Sequence, residues 1–86
     1  GEAIEKIDIG GPTLIRSAAK NYKHVAVVCN QSNYSKVINE LKENNNELSL
    51  KTREKLALEA FEYISHYDVV IENFLRKEFV GSTYPK

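Results

Sequence analysis

The apolar residues of this chain recur mainly at intervals of three and four positions, the spacing that is typical of amphipathic helices. This spacing predicts a first helix over 12–20, with an apolar face formed by Leu14, Ile15, Ala18 and Ala19. It also predicts a second helix, whose apolar face consists of Tyr34, Val37, Ile38 and Leu41. Ser32 or Asn33 is placed to cap that helix, and the three asparagines at 44–46 predict a loop after it.

Two further helices are predicted in the C-terminal half, with a break between them. Ser49 can cap the first, and its core-facing stripe consists of Leu50, Arg53, Leu56, Ala57, Ala60, Phe61 and Ile64. The pattern resets over 65–68, where Asp68 can cap a last helix that contains Val70, Ile71, Phe74, Leu75 and Phe79. We therefore expect separate helices over 50–65 and 69–79, with Gly81 near a helix end.

One segment has the pattern of a strand. Residues 24–29 are largely β-branched and apolar on both faces, as is typical of a buried parallel strand. Residues 7–9 are short and apolar around Asp8, as at the end of a strand. A doubly apolar strand needs neighbours on both edges, and these must come from sequence absent here or from another chain. The expected fold class is therefore α/β with a parallel sheet, helix-rich in its C-terminal half.

Composition restricts the classes of partner. The chain has 86 residues with 12 basic and 12 acidic side chains, so its formal net charge of zero gives no support for a nucleic-acid or membrane-surface role. Cys29 is the only cysteine, which excludes an internal disulfide and favours a reducing compartment. No apolar run approaches the roughly 20 residues of a membrane span, and no signal-peptide pattern is present. We expect a cytoplasmic protein and, since the sequence contains no methionine, a fragment of a longer one.

The most informative run is I-D-I-G-G-P-T-L-I-R-S-A-A-K-N at 7–21. Gly10 and Gly11 permit a sharp turn and a close approach to a ligand, and Pro12 suits the first position of a helix. Asp8 should then lie at a strand-to-helix corner near a helix N-terminus, where functional carboxylates and anions are favoured. On the residues alone, a cap is the more common role for Asp8, and a solvated charge meeting the helix dipole is the more common role for Lys20.

This run resembles the signature of the bifunctional purine-biosynthesis family that combines IMP cyclohydrolase with AICAR formyltransferase. The likeness continues through the strand at 24–29, the segment S-L-K-T-R-E-K-L-A-L-E-A-F at 49–61 and Tyr67-Asp68, while residues 30–48 fit loosely. It implies that residues 1–80 are the C-terminal part of the cyclohydrolase domain, which has a three-layer, methylglyoxal-synthase-like α/β fold. Residues 81–86 would begin a linker to a formyltransferase domain that is absent from this chain.

The resemblance also implies roles for individual residues. Lys20 and Asp8 match catalytic positions, and Asp8 and Ile9 match a pair that contacts the nucleotide. The reaction closes the ring of formyl-AICAR ribotide to IMP; it needs positioned proton donors and acceptors, with no cofactor and no metal inherently required. The cofactor 10-formyltetrahydrofolate would serve only the absent formyltransferase domain.

The implied partners are the purine nucleotide substrate and, for the full-length protein, a second copy in a homodimer. The family's phosphate-binding segments lie upstream of this chain, so we expect the isolated chain to be inactive. The rival interpretation is a non-catalytic ligand-binding or interaction module on the same fold.

The remaining candidate residues have simpler structural explanations. Arg16, one turn before Lys20, is better explained by a solvated helix face than by contact with phosphate or a partner. His24 and His66 lack the spacing of metal ligands, so no metal site is expected. Cys29 is expected to be inert packing. The aromatic residues at helical core spacing, Tyr34, Phe61, Tyr63 and Phe74, are expected in the core.

Overall fold

The computed structural model describes residues 7–81, which contain three α-helices. Helix α1 is Gly10–Lys20, α2 is Tyr34–Glu43 and α3 is Leu50–Val80. A single 3₁₀ turn, Gln31–Asn33, leads into α2. Within this described range, α1 packs along α3, and no helix combines the length and apolarity needed to cross a membrane.

The predicted strand over 24–29 is wrong for this chain. Residues 21–24 form a turn, residues 25–30 have no regular secondary structure, and no strand occurs anywhere in 7–81. A strand exists through hydrogen bonds to a neighbouring strand, and the described part of the chain supplies no neighbour. Val27 and Cys29 instead pack their side chains against the helices. The helix-rich part of the predicted fold class is confirmed, whereas its sheet is not seen here.

The predicted strand end at 7–9 is also absent, since these residues have no ladder partner. Residues 1–6 and 82–86 lie outside the described residues. The predicted linker over 81–86 therefore falls outside them as well, apart from Gly81. Gly81 has the expected role: it ends α3 with a left-handed backbone (φ 83°) and donates its N–H to the carbonyl of Lys77 at 3.0 Å.

The C-terminal half forms one helix of 31 residues, so the predicted break over 65–68 is wrong. Neither glycine nor proline interrupts residues 50–80, and nothing in the backbone forces the helix to stop there. The change in pattern instead marks a change in burial along α3. Its first half buries Leu56, Ala57, Ala60 and Ile64, while later apolar residues such as Val69 and Phe79 are exposed.

Local capping signals were predicted more accurately than tertiary features. Ser49 caps α3, because its Oγ accepts a hydrogen bond from the Thr52 N–H at 3.1 Å. Asn45 and Asn46 form the predicted loop and both adopt positive φ, at 55° and 66°. Asn33 precedes α2 as the N-cap residue but makes no capping bond with its side chain.

The core is small and is built around alanine. Ala19 of α1 is buried against Ala57 and Ala60 of α3, and the residues packed around them are Ile15, Tyr22, Val27 and Cys29. Three of the four aromatic residues predicted for the core are exposed: Tyr34, Phe61 and Tyr63. Phe74 is half-buried. Periodicity identifies an apolar face but does not show that anything covers it.

Arg53 connects two loops that the helices alone would leave separate. Its Nε donates to the carbonyl of Tyr22 at 2.9 Å, and its Nη1 donates to the carbonyl of Leu48. Charged donors make stronger hydrogen bonds than neutral ones, and each of these carbonyls lies outside a helix. Arg53 therefore fixes the end of α1 relative to the start of α3.

The chain exposes more surface than a compact protein of its mass. Its accessible area is 6743 Å². A compact monomer of 9.8 kDa would expose about 5200 Å². Its radius of gyration is 16.7 Å, against about 12 Å for a compact domain of this length. Apolar residues with more than half of their surface exposed include Leu14, Leu58, Phe79 and Val80.

The hydrogen bonds around the cap of α3 lead us to expect that the stability of the fold depends on pH. Hydrogen bonds from Thr52 and Ser49 to the Glu40 carboxylate hold the pKa of that group below its usual value of 4.5. A lowered pKa in the folded state stabilises the fold above the unfolded pKa, and this contribution is lost as pH falls through the folded value. The wild type should therefore have a higher urea midpoint than Glu40→Gln at neutral pH, and this gap should be smaller at an acid pH below the folded pKa of Glu40.

Circular dichroism at the two pH values measures this difference. Glu43→Gln, the same change on an exposed residue of α2, is the control and should give a constant difference. A Glu40→Gln difference that is equally constant between the two pH values would contradict the assignment.

Candidate functional site

Asp8 lies at the N-terminus of α1, as the sequence predicted. Its Oδ1 accepts a hydrogen bond from the Gly11 N–H at 3.0 Å, and its side chain is exposed to solvent. This contact satisfies an N–H of the first turn of α1, as a cap does, although Ile9 occupies the N-cap position and its own side chain makes no capping bond. The cap leaves the carboxylate accessible, and a second role is compatible with it.

The two glycines act differently from the prediction. Both belong to α1, which begins at Gly10, so they form no sharp turn, and Pro12 is the third helical residue rather than the first. The constraint at Gly11 is steric. A Cβ on Gly11 would lie 2.5 Å from Asp8 Oδ2, whereas one on Gly10 would lie 3.9 Å from Oδ1, an ordinary contact. Gly11 therefore makes room for the Asp8 carboxylate.

Ile9 sits between Asp8 and the helix and is 71% exposed. Its carbonyl accepts hydrogen bonds from the Thr13 N–H at 3.2 Å and from Thr13 Oγ1 at 2.8 Å. The backbone of Ile9 is thus committed to the first turn of α1, while its side chain projects into solvent. The Ile9 side chain is therefore accessible from solvent.

Lys20 occupies the last turn of α1 and is exposed. It lines an open groove of about 490 Å³ together with Ala19, Tyr22, Glu54, Ala57, Leu58 and Phe61. The lining is mostly apolar, with one cation and one carboxylate. The groove thus offers an apolar surface flanked by the amine of Lys20 and the carboxylate of Glu54.

Asp8 and Lys20 lie at opposite ends of the same helix. Eleven helical residues span about 16 Å, and no ion pair joins the two side chains within 7–81. A single ligand that touches both must be extended.

Two contacts tie α1 and the segment that leads into it to α3. The Asp8 N–H donates to Tyr67 Oη at 2.9 Å, across 59 positions of sequence. Arg16 Nη2 lies 3.8 Å from Asp68 Oδ2, and both side chains are more than half exposed. Arg16 therefore faces α3 rather than a purely solvated surface. Tyr67 was part of the recognised pattern but carried no predicted role, because sequence spacing does not indicate a contact over that distance.

The other candidate side chains show no reactive arrangement. Burial raises the pKa of the Cys29 thiol, and the Glu59 carboxylate raises it further, so the reactive thiolate is disfavoured. This agrees with the packing role expected for Cys29. Within 7–81, no three His, Cys, Asp or Glu side chains converge in a way that could hold a metal ion.

Comparison with known proteins identifies relatives over nearly the whole chain. Residues 18–86 match the family described as AICARFT/IMPCHase bienzyme. The chain is 51% identical over 85 residues to the bifunctional purine biosynthesis protein PurH of Acetivibrio thermocellus, and 47% identical over 85 residues to that of Ruminiclostridium cellulolyticum. It is 54% identical over 77 residues to the protein of the same name from Clostridium botulinum strain Loch Maree.

These alignments cover 99%, 99% and 90% of this chain, respectively. They cover only 16%, 16% and 15% of the three relatives. The chain therefore spans about one sixth of the length of the relatives that it matches. The resemblance inferred from the runs at 7–21 and 49–61 is confirmed.

The steric role of Gly11 can be measured through the cap that it permits. In Gly11→Ala the new methyl group displaces the Asp8 carboxylate from the helix terminus. Loss of a cap of about 1 kcal/mol corresponds to about fivefold faster exchange of the amide at position 11. Gly10→Ala, which adds the same methyl one residue earlier, should leave that exchange rate nearly unchanged.

Hydrogen exchange followed by NMR, corrected for intrinsic rates, compares the two variants. Equal exchange at position 11 in both would show that Gly11 does not protect the position of Asp8.

Proposed function

Because this chain belongs to the AICARFT/IMPCHase bienzyme family, we propose that it is part of the IMP cyclohydrolase unit of a bifunctional purine-biosynthesis enzyme. The proposed reaction closes the ring of formyl-AICAR ribotide to give IMP. The observation that carries the proposal is the arrangement of α1, with a capped, accessible Asp8 at one end and Lys20 beside an apolar groove at the other.

Ring closure makes defined demands on these side chains. The carboxamide nitrogen attacks the formyl carbon, one proton passes from that nitrogen to the former formyl oxygen, and the tetrahedral intermediate then loses water. Charge develops on the oxygen as the new bond forms, and a positioned cation or proton donor stabilises it. Lys20 is the group we assign to this role.

Asp8 and Ile9 are assigned to the nucleotide. The Asp8 carboxylate orients or deprotonates a group on the substrate, and the exposed Ile9 side chain supplies an apolar contact. The separation of about 16 Å along α1 supports roles at different parts of one extended nucleotide. The side chain of Lys20 covers several ångströms of that distance.

The rest of the proposal concerns the longer protein. We infer a methylglyoxal-synthase-like α/β domain, whose sheet is formed by parts of the longer protein outside residues 7–81. The large exposed surface supports this, because apolar residues such as Leu14 and Phe79 need a covering layer. We also propose that the longer protein transfers a formyl group from 10-formyltetrahydrofolate. We propose further that it is a homodimer and that it is cytoplasmic.

Replacing Lys20 should separate the two activities of the full-length protein. Lys20→Ala should lower ring closure by about 100-fold or more, the usual contribution of a positioned proton donor, and leave formyl transfer unchanged. Lys23→Ala, which removes an exposed lysine just beyond α1, is the matched control. The two half-reactions are assayed separately. Near-normal ring closure in Lys20→Ala would remove Lys20 from the site.

The 86-residue chain by itself should not close the ring. A nucleotide carries a phosphate whose binding energy supports catalysis, and this chain has no glycine-rich segment followed by Lys-Ser or Lys-Thr. Incubating the purified chain with formyl-AICAR ribotide and following IMP formation tests this expectation. Turnover above the uncatalysed rate would show that the chain contains a complete site.

A further inference from the structure

We propose that Tyr67 is a positioning residue for Asp8, a role that rests on the proposed function of Asp8. The Tyr67 hydroxyl accepts the Asp8 N–H at 2.9 Å, although 59 residues separate the two in sequence. Tyr67 is half-buried on α3, and Asp8 is exposed just before α1. The contact therefore joins the substrate-facing end of α1 to the longest helix of the described chain.

The bond matters because the other contacts of this segment are local. The Asp8 carboxylate bonds to Gly11, and the Ile9 carbonyl bonds to Thr13, both within α1. Such contacts orient Asp8 relative to α1 and move together with it. The bond to Tyr67 fixes the backbone of Asp8 relative to α3. The two bonds of Asp8 thus set its side chain and its main chain independently.

The neighbouring ion pair contributes less to the position of this segment. Arg16 and Asp68 face each other at 3.8 Å with side chains 51% and 63% exposed, and exposed pairs of this kind contribute little. Asp68 is the next residue to Tyr67 on α3. Asp68→Asn is therefore a matched control that disturbs the same contact region without removing the hydroxyl.

Tyr67→Phe in the full-length protein removes only the acceptor oxygen. We expect kcat/KM for ring closure to fall about tenfold or more, because small displacements of a positioned group are costly to catalysis. Formyl transfer in the same preparation should be unchanged, and its rate reports how much of the enzyme is folded. Asp68→Asn should change ring closure by less than about twofold. Exchange of the Asp8 amide should accelerate in Tyr67→Phe alone.

A double-variant cycle distinguishes positioning from general stabilisation. If Tyr67 acts through Asp8, adding Tyr67→Phe to Asp8→Asn should reduce ring closure no further. A purely structural role predicts two independent losses and a parallel fall in formyl transfer, which would overturn the proposal. Normal ring closure in Tyr67→Phe would also overturn it while leaving the proposed function intact. A wild-type protein that transfers formyl groups but closes no ring would overturn the proposed function and the role of Tyr67 together.

Discussion

The contact of Ala19 with Ala57 and Ala60 determines where α1 lies on α3. All three side chains are single methyl groups, so the two helices approach closely at this point. The alanine methyls contribute only about 0.8 kcal/mol each when buried, so the contact acts mainly by fixing the distance between the helices. Asp8 and Lys20 lie at the two ends of α1, and the same contact therefore sets both. A larger side chain at any of the three positions would move the whole helix.

Polar contacts then fix the loops and helix ends that the alanine contact does not hold. Arg53 holds the loops at Tyr22 and Leu48, near the Lys20 end of α1, and Tyr67 holds the Asp8 end. The carboxylate of Glu40 ties α2 to the first turn of α3 through Ser49 and Thr52. The small core, however, leaves a large apolar surface uncovered. This supports the inference that the segment functions within a longer protein, packed against parts of it that are absent from this chain.

Features that depend on a few neighbouring residues were predictable from sequence. The Ser49 cap, the loop at Asn45 and Asn46 and the left-handed Gly81 all follow from local backbone chemistry, and so does the cap by Asp8. Residues 24–29 were predicted as a strand because their composition suits one, but a strand also needs a partner. The break near Asp68 was predicted from a change in apolar pattern, whereas the helix continues because no residue interrupts its backbone. The contact between Asp8 and Tyr67 could not be predicted, because it depends on how α1 packs on α3.

The central claim is that the alanine contact holds α1, and through it both candidate site residues, in place. Ala60→Leu in the full-length protein overpacks this contact, a change that costs about 1–3 kcal/mol in a well-packed core. Hydrogen exchange resolved along the chain is the most direct measurement. The account predicts faster exchange throughout α1, retained protection in the second half of α3, and loss of ring closure with formyl transfer preserved. Unchanged protection of α1 together with normal ring closure would contradict it.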